Sequence, residues 1–388
     1  MSIPHKDPSQ RPVAVVVPVY RNLHVTKNCL ESLLASNLPA DASITVINDN
    51  SPDEEVGTYC QELAQQARIR LVVNEENRGF VVTANKGFAL HPDADIILLN
   101  SDTTVPNNWV QRLQLCAYKE AKIGTVTPFS NNGTICSYPV FPTSNNLPAL
   151  WNAIELDRTF QSANPGAYCE IPTAVGFCMY IKRSCLDETG PFDEENFGQG
   201  YGEECDFSLR ASAREWKHTV AADIFVYHEG AVSFASESNE RKHRADKIMD
   251  ELHPQYHQLV TDFIQLDPLY KFRSNVDAIR LVEKPADSQN ILEEHFSYAR
   301  SLLERVEQNR QLALQREVEL RAALAGAEQL DQMLTDCRQR FAETDRALEE
   351  AQKIIGPLIA ERDKAMSRIN SMEKSRSWRY TAWLRQEK

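Results

Sequence analysis

Four short apolar runs, Val13–Val17, Ser43–Ile47, Ile69–Val73 and Asp95–Leu99, recur through the first part of the chain without polar alternation. Runs of this kind predict strands buried on both faces of a parallel sheet. Between them, Val25–Leu34, Glu55–Ala67 and Val81–Leu90 carry apolar residues at helical spacing. Strand and helix in alternation predict right-handed βαβ units in a doubly wound α/β fold. In such a fold, ligands belong in the crevice at the carboxyl ends of the strands.

The texture changes near residue 287. From there to residue 372 the chain is almost free of Gly and Pro and rich in Glu, Gln, Arg, Ala and Leu, which predicts a long helix. Counting in sevens gives an unbroken apolar stripe: Ala299, Val306, Ala313, Leu320, Ala327, Leu334, Phe341, Leu348 and Ile355. A companion stripe three residues later is flawed by Asn309, Arg316 and Thr344. The pattern fits an α-helical coiled coil that makes a homo-oligomer, with Asn309 and Arg316 selecting register or partner; a single amphipathic helix folded back on the globule is the alternative. An uninterrupted helix of this span would extend on the order of 100 Å. Gly356-Pro357 is expected to interrupt it, because proline lacks a donor and clashes with the preceding turn. The expected organisation is a disordered N-terminus over 1–10, an α/β domain over 11–275, a linker over 276–290, a coiled coil over 291–372 and a tail over 373–388.

Composition narrows the partners. Aliphatic, aromatic and cysteine residues make up 42% of the 388 residues, enough for a sizeable core. A formal charge of −13 argues against a protein that coats nucleic acid. The nine cysteines are scattered and never spaced C-x-x-C, which points to unpaired thiols in a reducing cytoplasm. The polar start of the chain does not read as a secretory signal, and no apolar run is long enough to span a bilayer. Peripheral contact at the inner face of the membrane stays open through the tail, where Trp378, Tyr380 and Trp383 are interleaved with Arg376, Arg379 and Arg385.

Each of the four strands ends in polar residues: Pro18-Val19-Tyr20-Arg21-Asn22, Asn48-Asp49-Asn50, Asn74-Glu75-Glu76-Asn77-Arg78-Gly79 and Asn100-Ser101-Asp102-Thr103. Any one of these clusters is an ordinary turn or helix cap. Their order, however, resembles the family 2 glycosyltransferases of the GT-A fold over about residues 11–265. The resemblance is carried by VVVPVYRN, INDNSPDE, NEENRGFVVTANKGF, LLNSDTTVPNNWVQRL, AVGFCMYIKR, GPFDE, FGQGYGEECDFSLRA and VYHEG.

The resemblance implies a Rossmann-like, mostly parallel sheet flanked by helices, and an inverting, metal-dependent enzyme. A hexosyl or deoxyhexosyl group, rhamnose among them, would move from a UDP- or dTDP-sugar to a hydroxyl of a bacterial glycan, O-antigen polysaccharide, lipid-linked or glycoprotein acceptor. It places Asp102 and His228 as ligands of Mn²⁺ or Mg²⁺, hard cations suited to carboxylate, imidazole and diphosphate oxygens. It makes Glu204 the catalytic base, with Glu203 positioning base or acceptor. Pro18, Tyr20, Asp49, Asn77, Gly79, Ser101 and Asp102 fall on donor-binding positions. Each has a plainer reading: His228 as a buried strand-end histidine, and Glu203, Glu204 and Asp206 as carboxylates favoured at a helix start. Asn48, where many members have an acid, and Ala84, where a basic residue is frequent, depart from the pattern. They keep alive a second function, a degenerate transferase serving as a coiled-coil scaffold or chain-length spacer.

Overall fold

The computed structural model describes residues 11–198, 200–230, 235–323 and 330–374. The expected disordered N-terminus, residues 1–10, and the tail from residue 375 lie outside the described residues. Two compact units divide the chain at Asp287 and Ser288.

In the first unit the predicted alternation is present. It runs β1 (Val13–Val19), α1 (Leu23–Ala35), β2 (Ala42–Asn48), α2 (Glu54–Gln65), β3 (Arg70–Val73), α3 (Phe80–Ala89) and β4 (Asp95–Leu99). Next come β5 (Thr103–Thr104), α4 (Trp109–Ala117), β6 (Ile123–Phe129), α5 (Ala153–Ala163), β7 (Tyr168–Ile171), β8 (Cys178–Ile181) and α6 (Arg183–Thr189). The unit closes with α7 (Glu194–Phe197), α8 (Glu203–Ser212), β9 (Lys217–Phe225), β10 (Tyr227–His228), α9 (Ala235–Leu252), α10 (Tyr256–Leu266) and α11 (Tyr270–Glu283).

Eight strands form one sheet in the order β3-β2-β1-β4-β8-β6-β9-β7. β1 lies parallel to both β2 and β4, with Val19 opposite Asn48 and Val16 opposite Leu98. β8 runs antiparallel to β4 and β6, and β7 antiparallel to β9, so the sheet is mixed rather than uniformly parallel. The reason for β1's unbroken apolar sequence is burial: every residue of it except Pro18 is buried, and Ala14 and Val16 pack with Val81, Ala84 and Phe88 of α3. Each fully buried valine of this kind is worth about 1.5–3 kcal/mol. A separate two-stranded sheet, β5 with β10, sets Thr103 opposite His228.

The segment expected to be a linker, 276–290, is instead largely folded into this unit. Arg280 is fully buried and pairs with Asp287 at 2.8 Å, and the same carboxylate accepts from the Trp151 indole at 2.6 Å. A guanidinium that is buried and multiply bonded belongs to a core, so the unit reaches Asp287.

The second unit consists of α12 (Ser288–Ala323) and α13 (Leu330–Lys374) in place of one continuous helix. Arg310 meets Phe341 and Asp345, while Arg362 lies over Phe296, so the two helices pair antiparallel. The apolar stripe therefore has a partner within its own chain: Ala299 and Ile355 are buried, and Val306, Ala313, Phe341 and Leu348 are half-buried. Arg316 is exposed, outside any seam. Gly356-Pro357 does not end α13, which continues through Pro357. Both residues are exposed, as is Lys353 one turn earlier, so the carbonyl that loses its amide partner is free to meet water. Among the described residues no helix is long and apolar enough to cross a membrane.

Candidate active site

The carboxyl ends of β1, β2, β3 and β4 meet in one crevice, and the residues there hold one another. Asp49 is buried, and its carboxylate accepts from the Asn74 amide at 2.7 Å, from the backbone N–H of Arg78 at 2.9 Å and from that of Gly79 at 2.9 Å. It thereby pins the turn that opens α3, a positioning task that the sequence reading did not assign to it. Lys86 donates to the Asn74 side-chain oxygen, Oδ1, at 2.6 Å, which completes the support of that turn. Asn77, with its side-chain oxygen accepting from the Gly79 N–H at 3.0 Å, is exposed on the same turn. Asn48, the departure from the two-acid pattern, accepts from the Ser51 N–H at 2.8 Å and shapes the turn after β2. Asp53 accepts from the Asn22 N–H at 2.9 Å and ties that turn to the loop after β1, beside half-buried Pro18 and Tyr20.

At the end of β4 the polypeptide turns through Ser101 and Asp102 into β5. The pairing of β5 with β10 brings His228 alongside, and Asp102 Oδ1 lies 3.3 Å from His228 Nε2. The imidazole is fixed on three sides. Its Nδ1 donates to the Asn132 carbonyl at 2.8 Å, and its face stacks on Phe177 with ring centres 5.2 Å apart. Burial works against charging His228, but the hydrogen bond and charge of Asp102, with the Asn132 carbonyl, outweigh it and raise its pKa.

Phe177 leads to the acidic pair. Its carbonyl accepts from the Asn100 N–H at 2.9 Å, which sets the Gly176-Phe177 segment against the end of β4. Gly176 faces Glu204: a Cβ built there would lie 3.6 Å from the Glu204 carboxyl carbon. Asp102, His228, Phe177, Gly176 and Glu204 thus form one contiguous row. Glu203 and Glu204 open α8, and each has a buried Oε2 without a hydrogen-bond partner among the described residues. Burial raises both pKa values, and the Glu204 charge pushes Glu203 up further. Asp206 is committed elsewhere, to Arg210 at 2.7 Å and to His253 at 2.8 Å, as expected of a residue belonging to the helix start. The turn before α8 is left-handed at Gly200 (φ 94°), Tyr201 (φ 71°) and Gly202 (φ 90°). At Gly202 a side chain would be strained and would press on Phe197, 2.9 Å from its ring.

The buried acidic pair implies a stability cost that can be measured. Glu203→Gln is expected to raise the melting temperature by roughly 2–5 °C at pH 7–8, since it relieves a desolvated, unpartnered carboxyl. The sign follows from linkage. Glu203's folded pKa lies well above its ordinary 4.5, so folding is disfavoured as pH rises from the unfolded value toward the folded one. The difference between variant and wild type should therefore shrink toward pH 4–5. A calorimetric melt across this range checks it; an unchanged or lowered melting temperature at pH 8 would contradict the burial of an uncompensated acid.

Phe177, Asn131 and Asn132 were not singled out in the sequence, although SNNG lies just beyond the β6 run and AVGFC carries the aromatic. Their roles depend on contacts with His228, which for Asn131 and Asn132 span 97 and 96 positions and which no local pattern signals.

Glycosyltransferase AglE of Haloferax volcanii is 19% identical over 221 residues, covering 56% of this chain and 66% of AglE. Among solved structures, GalNAc-T7 with UDP, GalNAc and Mn²⁺ is similar with a TM-score of 0.48 and 18% identity, covering 73% of this chain and 58% of that one. The mannosyltransferase PcManGT of Pyrobaculum calidifontis, in complex with GDP-Man and Mn²⁺, gives 0.44 and 14%, covering 90% and 88%. TarS 1-349 of S. aureus gives 0.44 and 14%, covering 88% and 91%. The chain spans less than two thirds of the length of AglE and of GalNAc-T7. With residues 9–245 matching Glycosyltransferase like family 2, the chain belongs to that family.

Proposed function

We propose that this chain is a metal-dependent inverting glycosyltransferase that moves a sugar from a nucleoside-diphosphate donor to a hydroxyl of a glycan, lipid-linked or protein acceptor. The reading is supported by one observation: a row of contacts runs from Asp102 through His228, Phe177 and Gly176 to the buried carboxyl of Glu204.

A divalent cation, Mn²⁺ or Mg²⁺, fits Asp102 and His228. The carboxylate and the imidazole Nε2 converge to 3.3 Å, and Nδ1 is engaged by the Asn132 carbonyl, which leaves Nε2 directed at the site. Two protein ligands suit a centre completed by diphosphate oxygens. When bound, such an ion neutralises charge on the departing diphosphate. The remaining steps belong to the protein. Asp49 holds the turn before α3 through the Gly79 N–H, so that exposed Asn77 and half-buried Gly79 lie where the donor would bind. Pro18, Tyr20 and Ser101 line the neighbouring strand ends, where the base and ribose would lie. Glu204 takes the proton of the attacking hydroxyl; its raised pKa brings its basicity closer to neutral pH, where a general base is most effective. Burial and then the Glu204 charge raise the Glu203 pKa, so a second negative charge beside Glu204 is disfavoured.

Sugar identity, with rhamnose and O-antigen assembly as the expected case, rests on the sequence resemblance. The cytoplasmic location rests instead on the scattered, unpaired cysteines, peripheral membrane contact on the basic and aromatic tail, and self-association on the heptad stripe. A panel of UDP-, dTDP- and GDP-sugars assayed for nucleotide release tests the activity. Release is expected with Mn²⁺ or Mg²⁺ and is expected to fall to background with EDTA. Failure of every donor to bind or react would favour the second reading, in which the globule is degenerate and the helices act as scaffold or spacer.

A further inference from the structure

The loop after β6 grips His228 more tightly than a surface turn requires. Asn131 is 3% exposed and spends its side chain on the β10 backbone: its Oδ1 accepts from the His228 N–H at 2.9 Å, and its Nδ2 donates to the His228 carbonyl at 2.9 Å. Reciprocal bonds to one residue's N–H and C=O imitate a neighbouring strand, which extends the short β5–β10 pair on its open side. The same side chain also donates to the Asn145 carbonyl at 3.1 Å and receives the Ser130 hydroxyl at 3.4 Å, so its rotamer is fixed. The next residue, Asn132, offers its carbonyl to His228 Nδ1 and its amide to the Glu229 carbonyl at 3.4 Å. Gly230 permits this approach: with φ at 65°, any Cβ there would fall 1.8 Å from the Asn132 amide nitrogen.

We propose that Asn131 is the positioning residue of the metal site, holding the His228 backbone so that the imidazole meets Phe177 on its face, Asn132 at Nδ1 and the cation at Nε2. The proposal rests on the metal-dependent reading given above. It differs from a general loop-stabilising role: the Asn145 amide braces the same loop, donating to the Val140 carbonyl at 2.8 Å and to the Asn131 backbone carbonyl at 3.3 Å, whereas the Asn131 side chain bonds the His228 backbone directly.

Mn²⁺ binding separates the two roles. Free Mn²⁺ is followed by electron paramagnetic resonance as the full chain is titrated with UDP, dTDP or GDP present, alongside thermal melts. Asn131→Ala is expected to weaken Mn²⁺ binding about 10–100-fold. Asn145→Ala is expected to lower the melting temperature comparably while holding Mn²⁺ affinity within about twofold. Asn131→Asp, which keeps the acceptor for the His228 N–H and loses the donor, is expected between wild type and Asn131→Ala, and it serves where the alanine variant does not fold. If the Asn131 variants bind Mn²⁺ as the wild type does, or if Asn145→Ala weakens binding equally, positioning by Asn131 is overturned while the metal site stands. Absence of nucleotide-dependent Mn²⁺ binding by the wild type would overturn the metal-dependent reading and this proposal with it.

Discussion

Glu204→Gln is expected to lower the rate of sugar transfer by about 10²–10⁴-fold, the range supplied by a positioned general base. Nucleotide-sugar affinity should stay within about twofold, because Glu204 lies against Gly176 at the start of α8 rather than at Asp102, where the diphosphate is expected. Glutamine keeps the shape and removes the proton-accepting oxygen, so the loss should fall on kcat and not on KM. The pH profile supplies an independent check. A base works only when deprotonated, and burial lifts Glu204's pKa above its ordinary 4.5. The acid limb of the wild-type kcat profile should therefore sit above the usual carboxylate range, with activity falling as pH drops through it. In the glutamine variant the residual rate should lose that limb. A variant that retains wild-type kcat would remove Glu204 from the chemistry and return it to the simpler role of a helix-start acid.

The fold was legible where one physical signal dominated. Continuous apolar runs can be satisfied only by burial on both faces, so β1, β2 and β4 fall where the pattern put them and the helices between them follow. The antiparallel strands β7 and β8 were not legible in the same way, because the direction of a strand depends on the connections before it and not on its own composition. The helical unit shows the opposite limit. A heptad stripe reports that a helix face needs a partner, and says nothing about whether another chain or the next helix supplies it. Here α13 supplies it to α12. At the site, motif order singled out Asp102, His228 and the glutamate pair, whereas the task of Asp49 in holding the α3 turn was hidden. Its three donors, on Asn74, Arg78 and Gly79, are 25 to 30 residues away in sequence and become visible only once β3 lies beside β2.

Asp102→Ala should weaken Mn²⁺-dependent donor binding by at least about 100-fold, more than the effect of disturbing an outer partner of the site, and should abolish measurable transfer. The loss is expected to be specific. The Asp102 side chain is 18% exposed, and the side-chain partner it loses is His228, whose Nε2 lies 3.3 Å away. The β5–β10 pairing relies instead on backbone bonds, including the Glu229 N–H to the Asp102 carbonyl at 2.9 Å, which alanine retains. The melting temperature should consequently move by no more than about 2 °C, as for surface substitutions away from special features. His228→Ala should weaken Mn²⁺ binding as well, but by less, because imidazole is the softer and neutral ligand for a hard cation while the carboxylate supplies the charge. Calorimetric titration of nucleotide with and without Mn²⁺ reads the affinities, a thermal melt the stability and a nucleotide-release assay the transfer. Equal donor affinity for Asp102→Ala and wild type in the presence of Mn²⁺ would mean that the aspartate at the end of β4 is a turn residue, and the metal-dependent mechanism would have no anchor in this chain.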